Sequence, residues 1–541
     1  MGTATIALNR MAPRTFAAAA RSASRVSPVP VASSNERMIA GVAAASVALG
    51  VAQLATIPLG GRADVRTAVG AAIVDLTPGP VKEWAIQTLG PLDKPFLAVV
   101  VLVGIATIAA IAGTLETPRR PFGSAVIAGT GALGCAAVLS RPGGTALDIL
   151  PAILGAACGV AVLRVLTQRF WPHSERNTAV NEQADPGRRK LVLYGLLGFG
   201  VVSGVVGAFA TRLAHSVEAD RKTFALPTPR PKARPIPAEV QPKGVALPSF
   251  ITPSADFYRI DTALSVPQLS RGDWRLRIHG MVDRETTYDF DDLARFDLVE
   301  TVTTLTCVSN PVGGDLISTG IWTGYRLADL LAAAGVHSDA DMVLSTSIDG
   351  FTAGTPVQAL TDGRDALVAV GLNGQPLPVE HGYPARMVVP GLYGYVSATK
   401  WVVDLELTRF DKAKAYWTRQ GWAAQAPIKT QSRIDVPRGG QKVPVGPVVF
   451  GGVAWAQNRG VRAVELRIGD GDWQRAELGA SYSDETWRLW SFPWEAKDPG
   501  KQRITVRAID NTGAVQTEQQ ANPVPDGATG WHSVNFTVVP A

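Results

Sequence analysis

The sequence predicts a membrane α-helical bundle of about five spans, then an α+β domain, then a C-terminal immunoglobulin-like β-sandwich. Three observations predict it. Apolar runs of spanning length fill the first part of the chain. Strand-like and helix-like periods mix without a long βαβ repeat from about residue 249. Short alternating strands, broken by turns such as Gly-Asp-Gly and Asn-Thr-Gly, fill the chain from about residue 430. The bulk composition agrees. At 541 residues, 46% hydrophobic and 18% charged, with mean hydropathy +0.12, the chain is too apolar for an ordinary soluble enzyme and too polar for a pure membrane protein. The net charge of +6 partly reflects arginines that set topology, so no nucleic-acid partner is expected.

The first span reads RMIAGVAAASVALGVAQLATIPL from Arg37, after a tail over residues 1–36. Others begin near Phe96, Phe122, Leu147 and Leu191, so the spans occupy residues 37–213. The stretch from Ala68 has shorter apolar runs and carries Pro78 and Pro80, and is expected as an interfacial or re-entrant element. Basic residues cluster before the first span, at Arg119 and Arg120, and from Arg164 to Lys190, all on one side of a five-span bundle. That side is expected to be cytoplasmic, which puts the N-terminus inside and everything after about residue 213 outside a bacterial cell membrane. GRRKLVL, Gly187 to Leu193, reads either as a twin-arginine export signal or as an ordinary positive anchor. Residues 214–248 read as a Pro-rich linker, with prolines every few residues from Ala225, expected to hold the outer part off the membrane as a semi-rigid spacer.

Beyond it, residues 249–425 and 426–541 read as two domains. Trp274 to Val282 and Thr399 to Leu407 have strand patterns. Asp289 to Phe296 and Arg326 to Gly335 have helical spacing.

Of three cysteines, Cys135 and Cys158 lie in apolar runs, and Cys307 stands in TLTCVSNPVGGD at the end of a strand-like run. A cysteine there is either a small buried hydrophobe or a thiolate, acting as nucleophile or soft-metal ligand. Further on, NGQPLPVEHGYPARMVVPGLYGYVSATKW gathers His381, Arg386 and Lys400 with several glycines. Three cationic groups suit an anion such as a phosphate or an oxyanion; alternatively they pair with local acids.

These stretches resemble the sulfite oxidase family of molybdenum-pterin oxidoreductases. TPSADFYRID, TLTCVSN, ISTGIWTGYRLADLL and LNGQPLPVEHGYPARMVVPG…SATKW carry the resemblance, which covers roughly residues 249–541. It implies a molybdenum–molybdopterin cofactor, with Cys307 as the metal's protein ligand and a catalytic residue. It also implies that His381, Arg386, Lys400, Ala398 and Thr399 hold the pterin and its phosphate. Phe257, Tyr258 and Arg259 would line the pocket, with Arg259 reaching toward the metal as a second catalytic residue. Asp349 would sit near a pterin contact. The C-terminal region resembles the family's dimerisation domain and implies a homodimer.

The chain departs from the pattern in three places. Members that oxidise sulfite carry Asn-Arg-Arg after the cysteine, whereas here Asn310 precedes Pro311 and Val312. Asp261 stands where a neutral or basic phosphate-side donor is expected, and Trp422 where an active-site tyrosine is expected. With Val312 and Trp422 lining it, the substrate pocket is less cationic and more aromatic, and suits an S- or N-oxide or a protein methionine sulfoxide better than sulfite. The expected reaction is two-electron oxygen-atom transfer at molybdenum; sulfite oxidation is the alternative, and a cofactor-free anchoring protein is the rival outside enzymes. With no Cys-x-x-Cys-His motif and no His pair in the spans, no haem is expected in the chain. A separate electron partner, a quinol or a cytochrome, would then serve it.

Overall fold

The computed structural model describes residues 33–89, 92–141, 144–170 and 186–540. Most of the expected N-terminal tail, and the basic residues between 171 and 185, lie outside them.

Among the described residues, five helices are long and apolar enough to cross a membrane. They are α1 (Ser34–Thr56), α4 (Asp93–Leu115), α5 (Phe122–Leu139), α6 (Leu150–Phe170) and α7 (Pro186–Ala214). Helix α1 starts with a capping box, in which Ser33 and Glu36 satisfy each other's backbone N–H. It packs against α4, α6 and α7. Small residues permit this: a Cβ on Gly113 would overlap the Arg37 carbonyl of α1, and one on Gly200 would overlap Ser46. The segment expected at the interface forms α2 (Val65–Leu76) and α3 (Gly79–Leu89), 12 and 11 residues long and too short to span.

The next helix, α8 (Glu218–Thr223), leads into the C-terminal half, where Val217 is already buried. The Pro-rich segment does not stand off as a spacer. Arg230 N donates to the Leu298 carbonyl at 2.7 Å, Glu300 N donates to the Pro231 carbonyl at 3.1 Å, and Val240 and Phe250 enter the main core. Extended proline backbone leaves its carbonyls unpaired, and a neighbouring strand edge supplies donors to them.

Two sheets form the cofactor-side domain. One has the order β2–β1–β10–β5–β6, from β1 (Arg275–Gly280), β2 (Thr286–Asp289), β5 (Met342–Ser347), β6 (Thr352–Pro356) and β10 (Val402–Thr408). The other runs β3–β4–β7–β8, from β3 (Leu298–Thr306), β4 (Ile317–Arg326), β7 (Leu367–Leu372) and β8 (Gln375–Pro376), with β9 (Arg386–Val388) on β7. The apolar stripe of RLADLLAAA forms α9 (Leu327–Ala334), stopped by Gly335 at φ +73°. Asp289 to Phe296, expected as helix, gives only a 3₁₀ turn over Asp291–Arg295, while Phe290, Leu293 and Phe296 still pack on the main core.

Residues from Gln431 build two facing sheets. The first holds β11 (Gln431–Val436), β13 (Gly446–Trp455), β16 (Glu477–Leu478) and β17 (Arg488–Ala496). The second holds β12 (Lys442–Pro444), β14 (Val461–Ile468), β15 (Gln474–Arg475), β18 (Gly500–Asp510) and β19 (His532–Val539). Their inner faces share one core around Phe450, Trp490, Leu466, Val506 and Phe536.

Candidate cofactor site

Cys307 follows β3 at once, in the loop to β4. Its N–H donates to the Leu316 carbonyl at 3.0 Å, and its carbonyl accepts from Asn310 N at 3.2 Å, so the loop closes on itself around a half-buried thiol. Asn310 braces the loop by accepting from Leu316 N at 3.0 Å, while its buried Nδ2 has no partner among the described residues. The C-terminal sheets hold the strand that carries the cysteine: Gln457 Nε2 reaches the Thr304 carbonyl at 3.3 Å and Thr306 Oγ1 at 3.4 Å.

Opposite lies the segment from His381 to Lys400. Arg386 is 4% exposed, donates to the carbonyls of His381 (3.1 Å) and Ala398 (3.3 Å), and stacks 5.2 Å above the Trp322 ring. Burial lowers its pKa to about 10, against the pull of Tyr258 and Asp261, and it stays cationic at neutral pH. Burial, then the charges of Lys400 and Arg386, depress His381 to about 3, so its ring is neutral. The ring packs edge-on to Phe257, and its buried Nδ1 has no partner among the described residues. Burial likewise lowers Lys400 to about 8, although Asp261 opposes this.

Tyr258 connects the two sides. Burial and then the Cys307 sulfur push its phenol above the usual range, with Arg386 opposing them, so the proton stays on the phenol close to both groups. Phe257 stacks on the tyrosine, with ring centroids 5.8 Å apart. Gly394, at the start of the 3₁₀ turn before Ala398, lies close to both the Tyr258 hydroxyl and the Thr306 carbonyl.

Other expected residues sit as follows. Thr399 is fully buried, and its hydroxyl pairs with Ser345 at 2.7 Å. Asp349 caps its own turn by accepting from Phe351 N at 3.1 Å; burial raises its pKa, and the charges of Asp261 and Lys400 both reach it. Arg259, expected to reach toward the metal, gives its Nε to Asp261 at 2.9 Å. Asp261 does not merely remove a donor. It also accepts from Lys400 Nζ at 3.0 Å and from Lys94 Nζ at 2.7 Å. Burial would raise its pKa, but Lys400 and Lys94 hold it well below the carboxylate range. Val312 is half-buried in the Cys307 loop. Trp422, expected in the substrate pocket, is 6% exposed and packs on Tyr395 and Trp417 in the main core, because its indole has an aromatic wall there to bury against.

Lys94, Asn310 and Gln457 are the members that sequence reasoning missed. Lys94 lies 167 residues from its partner, and no local pattern links the two.

These residues fit a pterin–metal cofactor. Tyr258 feels both the half-buried Cys307 thiol and Arg386, His381 feels Arg386 and Lys400, and the buried Nδ1 of His381 and Nδ2 of Asn310 have no partner among the described residues. Left unmatched, buried polar atoms of this kind are costly.

Comparisons with known proteins agree. The family model described as oxidoreductase molybdopterin binding domain matches residues 263–417. Mitochondrial sulfite oxidase of Rattus norvegicus is 29% identical over 360 residues, which is 57% of this chain and 65% of the relative. The chain thus spans somewhat less than two thirds of that relative's length. The uncharacterized oxidoreductase YuiH of Bacillus subtilis (strain 168) is 31% identical over 167 residues, covering 29% of this chain and 81% of that protein. NADH nitrate reductase of Hordeum vulgare is 26% identical over 337 residues, covering 50% and 36%. Carrying the domain model over its Cys307-to-Lys400 core, and matching most of the Bacillus protein, the chain belongs to the sulfite oxidase family of molybdopterin-dependent oxidoreductases.

Proposed function

We propose that this protein is a membrane-anchored molybdenum oxidoreductase whose cofactor half lies outside the cytoplasm. It would catalyse two-electron oxygen-atom transfer on an S-oxide, an N-oxide or a protein methionine sulfoxide. Its domains would be a tail (1–36), a five-span bundle (37–213), a connecting segment (214–248), the cofactor domain (249–425) and an immunoglobulin-like sandwich (426–541). The family membership displaces the reading as a cofactor-free anchoring protein.

When bound, molybdenum–molybdopterin supplies the oxygen-atom transfer, and the chain supplies the setting. Cys307 would give its thiolate to the metal. Arg386 and Lys400 would neutralise the phosphate, and His381 Nδ1 and Asn310 Nδ2 would take up polar edges of the group. Tyr258 would keep its phenol proton near the reacting region. Electrons would come from a separate partner, a quinol or a cytochrome; the sandwich would support a homodimer, and GRRKLVL would serve export of a folded, loaded domain.

One observation carries the choice of substrate. The outer lip of the Cys307 loop consists of exposed Pro311, half-buried Val312 and exposed Asp315, with no cation at the two positions after Asn310. A small dianion gains little there, whereas an uncharged oxide loses nothing. Sulfite oxidation is the second reading, favoured by the rat relative's name. The test is protein purified from membranes of a cofactor-making host. About one molybdenum per chain is expected, with reduced-dye oxidation by methionine sulfoxide or trimethylamine oxide at least ten times faster than sulfite-driven ferricyanide reduction. The opposite ratio would establish sulfite oxidation, and a folded chain without molybdenum would refute both.

A further inference from the structure

Asp261 sits where the two halves of the molecule meet. Its Oδ1 accepts from Lys94 Nζ at 2.7 Å, and Lys94 belongs to the first turn of α4, a helix long and apolar enough to cross a membrane. Its Oδ2 accepts from Arg259 Nε at 2.9 Å and from Lys400 Nζ at 3.0 Å. Asp261 is 6% exposed at the side chain and Lys400 9%, so water screens the cluster weakly. Lys400 also donates to the Glu380 carbonyl at 3.1 Å, beside His381.

This division of labour has a consequence. A lysine ammonium carries three N–H donors and a guanidinium five, and a carboxylate free to rotate would draw more of them onto its two oxygens. Here Lys94 occupies Oδ1, so Oδ2 alone serves Lys400 and Arg259. Each of those cations keeps donors to spare, and the cluster as a whole stays cationic. A pterin phosphate needs both properties.

We propose that Lys94 is a positioning residue for the cofactor. By pinning Asp261, it leaves Lys400 and Arg259 able to face the phosphate, and so makes cofactor retention depend on α4 being seated on the outer half. The inference rests on the cofactor reading given above.

The test uses the full chain in detergent, purified from a cofactor-making host, with four variants: Lys94→Met, Lys94→Arg, Asp261→Asn and the Lys94→Met/Asp261→Asn pair. The readouts are molybdenum per chain and the rate at which fluorescent oxidised pterin leaves the protein, neither of which requires turnover. We expect Lys94→Met to lose pterin roughly 3- to 10-fold faster, Lys94→Arg to restore retention, and the pair to lose it no faster than Asp261→Asn alone. Lys82→Met removes a buried cation of α3, which donates to the Tyr416 hydroxyl at 2.8 Å, and serves as a docking control. Unchanged retention in Lys94→Met overturns the proposal. So does a loss that multiplies in the pair, or an equal loss in Lys82→Met, which would assign the effect to helix docking alone. If the Met variant does not accumulate, Lys94→Gln replaces it under the same criteria. A wild-type chain without molybdenum refutes the cofactor reading itself, whereas a loaded wild type with an indifferent Lys94 refutes only this inference.

Discussion

His381 keeps a neutral ring in a pocket that also buries two cations, and this ties stability to pH. Its pKa falls from 6.5 to about 3 on folding, so above pH 6.5 neither the native nor the unfolded chain protonates it. As pH falls through 6.5, the unfolded chain takes up a proton that the native chain refuses, and stability drops by about 1.4 kcal/mol per unit until pH approaches the native value. Lys400, at about 8, does not titrate in that window. His532, which burial also depresses, is common to wild type and variant and cancels between them. Between pH 7 and 5.5 we expect the wild type to lose about 1 kcal/mol more than His381→Gln, read as a larger fall in melting temperature of the cofactor-free protein. Equal falls would show that the imidazole is wetter than its 3% exposure implies. Cys307 makes a contrasting case. Its thiol is only half-buried and serine is close to it in size, so Cys307→Ser should cost less than about 1 kcal/mol of stability yet abolish molybdenum binding, measured by elemental analysis. Cys307, His381, Arg386 and Lys400 were legible in the sequence because their motifs are local. The role of Asp261 was not: its meaning depends on Lys94, and tertiary contact alone reveals that pairing.

At the scale of elements, sequence reading succeeded where one period dominated a stretch and one face had a core to meet. Strand β1, helix α9 and the short α2–α3 pair all follow from such patterns. It failed over the Pro-rich segment, because composition reports stiffness but not whether a strand edge waits nearby to receive the carbonyls. Trp422, expected in the substrate pocket, is buried in the main core, where an aromatic near a motif is equally at home. The turn that presents the cationic segment depends on Gly382, the residue that ends the 3₁₀ turn Val379–His381. It sits at φ +112°, and a Cβ there would lie 2.9 Å from Arg386 Cβ and 3.2 Å from Lys400 Cβ. Both neighbours are buried and cannot withdraw into solvent. Gly382→Ala should therefore cost about 1–3 kcal/mol through backbone strain. It should also lower molybdenum content, because relief of the clash moves the very residues expected to hold the phosphate. A stable, fully loaded Gly382→Ala would mean that the segment tolerates displacement and does not set the cofactor's position.

The whole molecule has a direction that its helices encode. Lys94, in the first turn of α4, touches the cofactor half at Asp261, and α4 runs 22 residues from there to Leu115. At about 1.5 Å per residue that is roughly 33 Å, close to the thickness of a bilayer's hydrocarbon core. Arg119 and Arg120 therefore follow at the far end from the cofactor half. Helix α7 runs the other way: Arg188, Arg189 and Lys190 lie at its start, and beyond its end Val217 is buried in the core of the cofactor half. Both basic ends face away from Cys307, and loops rich in Arg and Lys are retained in the cytoplasm. The cofactor half should then face the opposite compartment. Cysteines placed one at a time at Asp470, in an exposed turn of the C-terminal sheets, and at Arg120 would report this in a chain whose Cys135 and Cys158 are serine and whose Cys307 is kept for the cofactor, each read against the same chain without the added cysteine. In intact spheroplasts, a membrane-impermeant maleimide should label position 470 and should reach position 120 only after lysis. Labelling in the reverse order would place the cofactor half in the cytoplasm, leave the paired arginines of GRRKLVL as ordinary anchors, and require an electron partner on the inner face.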